Sequence, residues 1–205
     1  MGMFITFEGI DGCGKSTQIA RLKEHLLAQG YDVLATREPG GTMISEKIRA
    51  ILLDKENVQM TPLCEAMLYA AARAQLVEQV ISPALREGKI VLCDRYIHSS
   101  IAYQGYGRGI TERVVMEINR PALQGALPDL TFLFLIEPSL AQARRGHEQD
   151  RMECDEAFLQ RVAGAFFEMA GRGDVKAVDA SRSADEVFGD VYETIVQHLQ
   201  REKGV

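Results

Sequence analysis

The sequence predicts an α/β fold, a three-layer, doubly wound parallel sheet, and three observations carry that prediction. Short apolar runs alternate with amphipathic runs of helical period along the whole chain, the pattern of parallel strands joined by crossover helices. One run, residues 130–136, is almost continuously apolar, as a strand covered on both faces must be. Finally, Gly9-Ile10-Asp11-Gly12-Cys13-Gly14-Lys15-Ser16-Thr17 sits between the first apolar run and the first amphipathic one. It has the G-x-x-x-x-G-K-S spacing of a phosphate loop, in the strand–loop–helix context which that spacing requires.

The elements follow in order. Residues 3–8 form the first strand, and a helix from Lys15 aligns Ile19, Leu22 and Leu26 before stopping at Gly30. Residues 31–37 form the second strand, closed by Glu38-Pro39-Gly40-Gly41, and a short helix follows with Ile44, Ile48 and Leu52 in register. Thr61-Pro62 reads as N-cap and first residue of a long helix to Glu87, with Pro83 kinking its last turn and Gly88 ending it. Residues 89–94 are a buried strand with Asp94 at its carboxyl end, and Thr111 opens a helix carrying Val114, Val115 and Ile118. After the 130–136 strand comes a polar, arginine-rich insertion at about 139–154. Then come a helix with Phe158, Val162, Phe166 and Met169, a strand at 175–179, and a final helix with Val187, Val191, Ile195 and Leu199. Ser183 and Glu186 have capping-box spacing at its start. No linker, repeat or low-complexity segment divides the chain, so residues 1–205 read as one domain.

Composition narrows the function classes. A net charge of −6 opposes broad binding to nucleic acid or to an anionic membrane, and there is no 18-residue apolar span. The four cysteines, Cys13, Cys64, Cys93 and Cys154, form no C-x-x-C pair, which fits reduced thiols in a cytoplasm. The start matches a myristoylation pattern, but its residues are needed for the first strand. His25, His98, His147 and His198 share no metal-ligand spacing.

The phosphate loop has its own chemistry. Glycines let backbone N–H groups converge on phosphate oxygens, Lys15 brings a positive charge to the terminal phosphates, and the Ser16 hydroxyl is a ligand for Mg²⁺. The loop therefore predicts binding of a nucleoside triphosphate. Asp11 is an awkward charge there unless an arginine and a ligand hydroxyl hold it. No N-K-x-D guanine-reading motif is present, and the small length with scattered arginines points to a nucleoside or nucleotide kinase.

Four stretches then resemble one family. Asp94-Arg95-Tyr96-Ile97-His98-Ser99-Ser100-Ile101-Ala102-Tyr103-Gln104 is similar to the thymidylate kinase signature D-R-[aromatic or His]-x-x-S-x-x-A-[aromatic]. Phe7-Glu8-Gly9-Ile10-Asp11-Gly12, Thr36-Arg37-Glu38-Pro39-Gly40-Gly41-Thr42 and Tyr69-Ala70-Ala71-Ala72-Arg73-Ala74-Gln75 match the family in order and spacing. The resemblance implies a P-loop nucleoside monophosphate kinase fold, transfer of the ATP γ-phosphoryl group to dTMP, Mg²⁺ as cofactor, and a homodimer. It implies ATP contacts from residues 9–17.

For dTMP it implies contacts from Asp11, Arg37, Tyr69, Arg73, Arg95, Ser100, Tyr103 and Gln104. Tyr69 would stack on the base and Arg73 would donate to thymine O4, where spacing alone reads as an arginine stem over a core aromatic. Tyr69 stands where family members usually carry Phe. Arg37 and Arg95 would hold the monophosphate, Asp11 the 3′-OH, and Ser100 and Tyr103 the pyrimidine edge and the 2′ carbon. Either arginine alone reads as a surface ion pair, and Ser100 and Tyr103 read equally as helix packing. Asp94 would support Mg²⁺ with Ser16, and a strand-end cap is as good a reading from sequence. Some members place an arginine where this chain has Gly12. The resemblance therefore assigns the catalytic charge to the insertion as a lid, with Arg144 and Arg151 joining Lys15, Arg95 and Asp11; without it the insertion reads as a solvated face. Two alternatives stay open: another pyrimidine-accepting kinase, or a nucleotide-binding regulatory module.

Overall fold

Buried strands need every backbone group paired, and here a single parallel ladder does that. The computed structural model describes residues 2–145, 155–173 and 175–202. Its strands are β1 (Met3–Glu8), β2 (Val33–Arg37), β3 (Ile90–Asp94), β4 (Leu130–Leu135) and β5 (Lys176–Asp179), in the order β2-β3-β1-β4-β5. All neighbouring pairs are parallel. Central β1 is buried at every residue, and its one hydroxyl, Thr6, is matched by Thr131 at 2.9 Å. The edge strands β2 and β5 leave side chains in water, which is why their sequences are less apolar.

Helices flank this sheet. α1 (Lys15–Ala28) packs against β1, β2 and β3 and against α9 (Ala184–Glu202). α8 (Glu156–Ala170) lies on β4 and buries Phe158, Val162, Phe166 and Met169, the stripe its spacing predicted. The Ser183–Glu186 capping box forms in both directions, with N–H···O distances of 3.1 and 3.3 Å. α1 ends in a Schellman motif: Gly30 at φ 85° sends its N–H to Leu27 O, and the Tyr31 N–H reaches Leu26 O. Tyr31 thus belongs to the cap, and β2 starts two residues later than periodicity suggested.

The long helix expected over 62–87 is α3 (Pro62–Leu76), a π-helical turn over Val77–Ile81, and α4 (Ser82–Arg86). Pro83 has no N–H to continue the regular ladder, and the wide turn upstream absorbs the break. Thr61 caps α3 as expected, accepting from the Cys64 N–H. Thr111 stands at the N-cap of α6 (Glu112–Leu123), but its hydroxyl makes no capping bond. Periodicity left 97–107 unassigned; it is α5 (Ile97–Ser100) running into a second π-helical segment, Ile101–Gly107. α2 (Met43–Leu53) packs on α3, α3 packs on α6, and α7 (Pro138–Arg145) forms the first part of the insertion.

Topology fixes the site. The chain leaves β1 for the edge strand β2, returns to β3, then crosses to β4 on the other side of β1. The reversal beside β1 opens a crevice at the carboxyl ends of the strands, the usual ligand position in such sheets. Two bonds beyond the ladder tie the neighbouring loops together there. The Arg95 N–H donates to Phe7 O and the Glu38 N–H to Asp94 O, each at 2.9 Å.

Candidate functional site

Two clefts meet at that crevice. The first is lined by residues 11–18 of the phosphate loop and helix start, with Arg144, Ala180, Arg182, Ser183, Ala184 and Val187. Gly9, Gly12 and Gly14 have φ of 141°, 83° and 98°, a region closed to most L side chains. Space is lacking as well: a Cβ on Gly9 would stand 2.6 Å from Phe134 O, and one on Gly12 would stand 2.2 Å from Ala141 O of α7. The Lys15 ammonium is buried and turned inward, donating to Gly9 O and Ile10 O at 3.0 Å, with Cys13 Sγ at 3.5 Å. Ser16 Oγ donates to Asp94 Oδ2 at 2.8 Å, and Asp94 Oδ1 is buried with no partner. Arg144 crosses from α7 to donate to Ala180 O and Ser181 O, tying the insertion to the loop before α9.

The second cleft is lined by Asp11, Glu38, Pro39, Arg49, Leu53, Tyr69, Arg73, Arg95, Tyr96, Ser99, Ser100, Tyr103 and Gln104. Arg95 and Asp11 divide the two spaces with a 2.7 Å ion pair. This supplies the arginine partner that Asp11 needs. Arg95 has φ 70°, uncommon for a non-glycine residue. Its guanidinium also donates to Gly9 O at 2.8 Å and lies over the Tyr103 ring. Burial alone would lower the Arg95 pKa, but Asp11, Tyr103 and Asp94 hold it well above the ordinary value.

Arg73 is the buried hub of this cleft. It donates to Glu38 Oε2 through Nε and NH2 at 2.8 and 2.6 Å, to Tyr96 O at 2.9 Å, to Ser100 Oγ at 3.1 Å, and to Asn119 Oδ1. A guanidinium has five N–H groups, so each has a protein acceptor. Burial pushes the Glu38 carboxyl up to about 7 against the pull of Arg73. Three buried polar atoms on lining residues have no partner: Glu38 Oε1, Tyr103 Oη and Gln104 Oε1. Such groups are rare in folded proteins.

Most residues singled out from sequence therefore converge on these two clefts. Arg37 does not: it is half-exposed, pairs with Glu46 at 2.9 Å, and lies outside both linings. Arg49 of α2 takes a place in the second cleft instead, donating to Pro39 O at 2.9 Å. Sequence reasoning also missed Glu38, Asn119 and Glu8. Buried Glu8 accepts from Tyr96 N and Ser99 Oγ and so sets the start of α5. Its only local signal was a charge at the end of an apolar strand. Arg151 lies outside the described residues. Among the described residues no group of three His, Cys, Asp or Glu side chains could hold a metal. Ser16 with Asp94 is an oxygen pair of the kind that holds Mg²⁺ through few protein ligands.

Comparison with known proteins adds the family. A family model described as Thymidylate kinase matches residues 7–191. A thymidylate kinase of Exiguobacterium sp. is 48% identical over 206 residues, covering 98% of this chain and 97% of the relative. One of Pelotomaculum thermopropionicum is 48% identical, covering 93% and 91%. Among solved structures, the thymidylate kinase of Ehrlichia chaffeensis superimposes with a TM-score of 0.76 at 33% identity, covering 95% of this chain and 98% of its own.

Proposed function

The chain belongs to the thymidylate kinase family, and from that premise we propose how its two clefts divide the reaction. It is a nucleoside monophosphate kinase that moves the γ-phosphoryl group of ATP to dTMP, giving ADP and dTDP on the way to dTTP. We assign ATP to the phosphate-loop cleft and dTMP to the cleft around Arg73. One observation carries the assignment: Asp11 lines both clefts and is held by Arg95 where they join. That junction is where a donor and an acceptor phosphate would meet.

The acceptor oxygen belongs to a phosphate that is already anionic, so the site needs no strong base. Catalysis rests on positioning and on neutralising charge on the transferred group. In this reading Lys15 exchanges its weakest contact, the Cys13 sulfur, for a terminal phosphate oxygen. Arg95 orients the acceptor phosphate and Asp11 the sugar hydroxyl. Arg37 joins them by leaving Glu46, an exposed pair of little energetic weight. Tyr69 stacks on the base, Tyr103 crowds the 2′ carbon, and Arg73 reaches the base carbonyl by sharing the donor it gives Ser100. Arg144 and Arg151 bring positive charge from the lid at about 139–154. The unpartnered Asp94 Oδ1 supports Mg²⁺ at Ser16 and Asp94, directly or through water. When bound, that ion would supply positive charge to offset that of the phosphates.

Three coarser features belong to the same reading. We propose a homodimer, supported by exposed Ile44 and Ile51 on α2, Leu63 and Met67 on α3, and Met116 on α6, three helices packed side by side. The net charge of −6 supports activity away from nucleic acid. Reduced Cys13, Cys64 and Cys93, and the lack of any membrane-length apolar helix among the described residues, support a cytoplasmic enzyme.

The test offers ATP and Mg²⁺ with a panel of monophosphates and follows ADP release. Turnover with dTMP should exceed that with UMP or CMP by about 10²-fold or more. Comparable turnover with all three would remove the thymine assignment.

A further inference from the structure

The buried wall of the dTMP cleft contains a carboxylate that never reaches the cavity. Glu65, in the first turn of α3, is 1% exposed and does not line the pocket. Its oxygens accept from Arg108, through Nε at 3.2 and 3.3 Å and NH2 at 3.1 Å, and from Gln104 Nε2 at 3.0 Å. Gln104 is 1% exposed and does line the pocket, and its Oε1 is buried with no partner.

These contacts leave the Gln104 amide one orientation. A carboxylate bound by a guanidinium offers acceptors and no donor. Turning the amide over would set its carbonyl oxygen against a carboxylate oxygen and leave an N–H₂ without a partner. Glu65 therefore keeps the NH₂ on its own side, and the Gln104 carbonyl becomes an acceptor for whatever fills the pocket. A base edge with N3–H and an O4 carbonyl satisfies that acceptor. A base with a bare N3 and an exocyclic amine places a lone pair against it, leaving both groups buried and unpaired.

Resting on the assignment of this cleft to the acceptor base, we propose that Glu65, clamped by Arg108, is a positioning residue that sets pyrimidine choice through Gln104. It acts on the hydrogen-bonding edge and not on the 5-methyl group. Three acceptors separate the two effects: dTMP and dUMP share the N3–H edge, whereas dCMP inverts it.

The experiment compares kcat/KM for dTMP, dUMP and dCMP in the full-length wild type, in Glu65→Gln and in Glu65→Asp, with the KM for ATP and the melting temperature alongside. Glutamine at position 65 can donate as well as accept, so the Gln104 amide loses its fixed sense. The dTMP:dCMP ratio should fall about tenfold or more in Glu65→Gln, mainly through a higher KM for dTMP, while dTMP:dUMP stays within about twofold. Glu65→Asp, which keeps an acceptor-only group, should retain most of the wild-type discrimination. Parallel losses for all three acceptors, or an unchanged dTMP:dCMP ratio in Glu65→Gln, would overturn the proposal. Binding of dTMP and dCMP without ATP reads the same ratio if turnover is too low. A wild type that does not discriminate dTMP from dCMP would instead overturn the cleft assignment itself, and the role of Glu65 with it.

Discussion

Glu38 is a residue whose protonation the fold controls. Its carboxyl is pushed up to about 7 by burial, against the pull of Arg73. A carboxyl with a raised folded pKa binds its proton more tightly folded than unfolded. The stability from that proton is present below the ordinary value of 4.5 and lost as pH rises through about 7. Wild type should therefore lose stability relative to Glu38→Gln as pH rises from about 4.5 through about 7. Melting curves of both proteins across that window check it; parallel curves would contradict the shift. Legibility at this scale divided by sequence distance. Lys15, Ser16 and Asp11 were readable because one short loop contains both groups and geometry. The Arg73 hub was not, because its partners Glu38, Ser100 and Asn119 lie 35, 27 and 46 residues away. Arg49 was hidden because nothing in a helix sequence says which arginine faces a cleft.

At the scale of elements, the strands and most helices were readable from period alone, since each central strand is buried on both faces and each helix has one apolar stripe. The two π-helical segments were not, because a widened turn has no side-chain period of its own. One of them, Ile101–Gly107, presents Tyr103 and Gln104 to the cleft around Arg73. Gly12 shows how two elements constrain each other. Its φ of 83° and the closeness of Ala141 O leave no room for a side chain while α7 sits against the loop. Gly12→Ala should lower kcat/KM for the transfer by about 10²-fold, because a displacement near 1 Å at the phosphate loop is enough for that. Steady-state kinetics with both substrates check it, and near-wild-type activity would mean that α7 does not hold this position in the working enzyme. The sequence showed a missing arginine at Gly12, and the fold adds that α7 fills that space.

For the whole molecule, the sheet order places the two clefts, and exposed apolar side chains on α2, α3 and α6 are used by neither cleft. Leu63 and Met67 are one helical turn apart and 48% and 52% exposed, an arrangement that calls for a covering surface. Met67→Glu should convert the proposed homodimer to monomer in light scattering at micromolar concentration; an unchanged mass would contradict an interface on this face. That face was only half legible beforehand, since a stripe buried against a partner chain has the same period as one buried against the protein's own core. In the proposed reaction ATP and dTMP meet at Asp11 and Arg95, and one phosphoryl group passes between them without water. Quantifying ADP and dTDP together, from ATP, dTMP and Mg²⁺, tests it most directly. Equal amounts of both products throughout the time course are expected, and ADP accumulating without dTDP would contradict it.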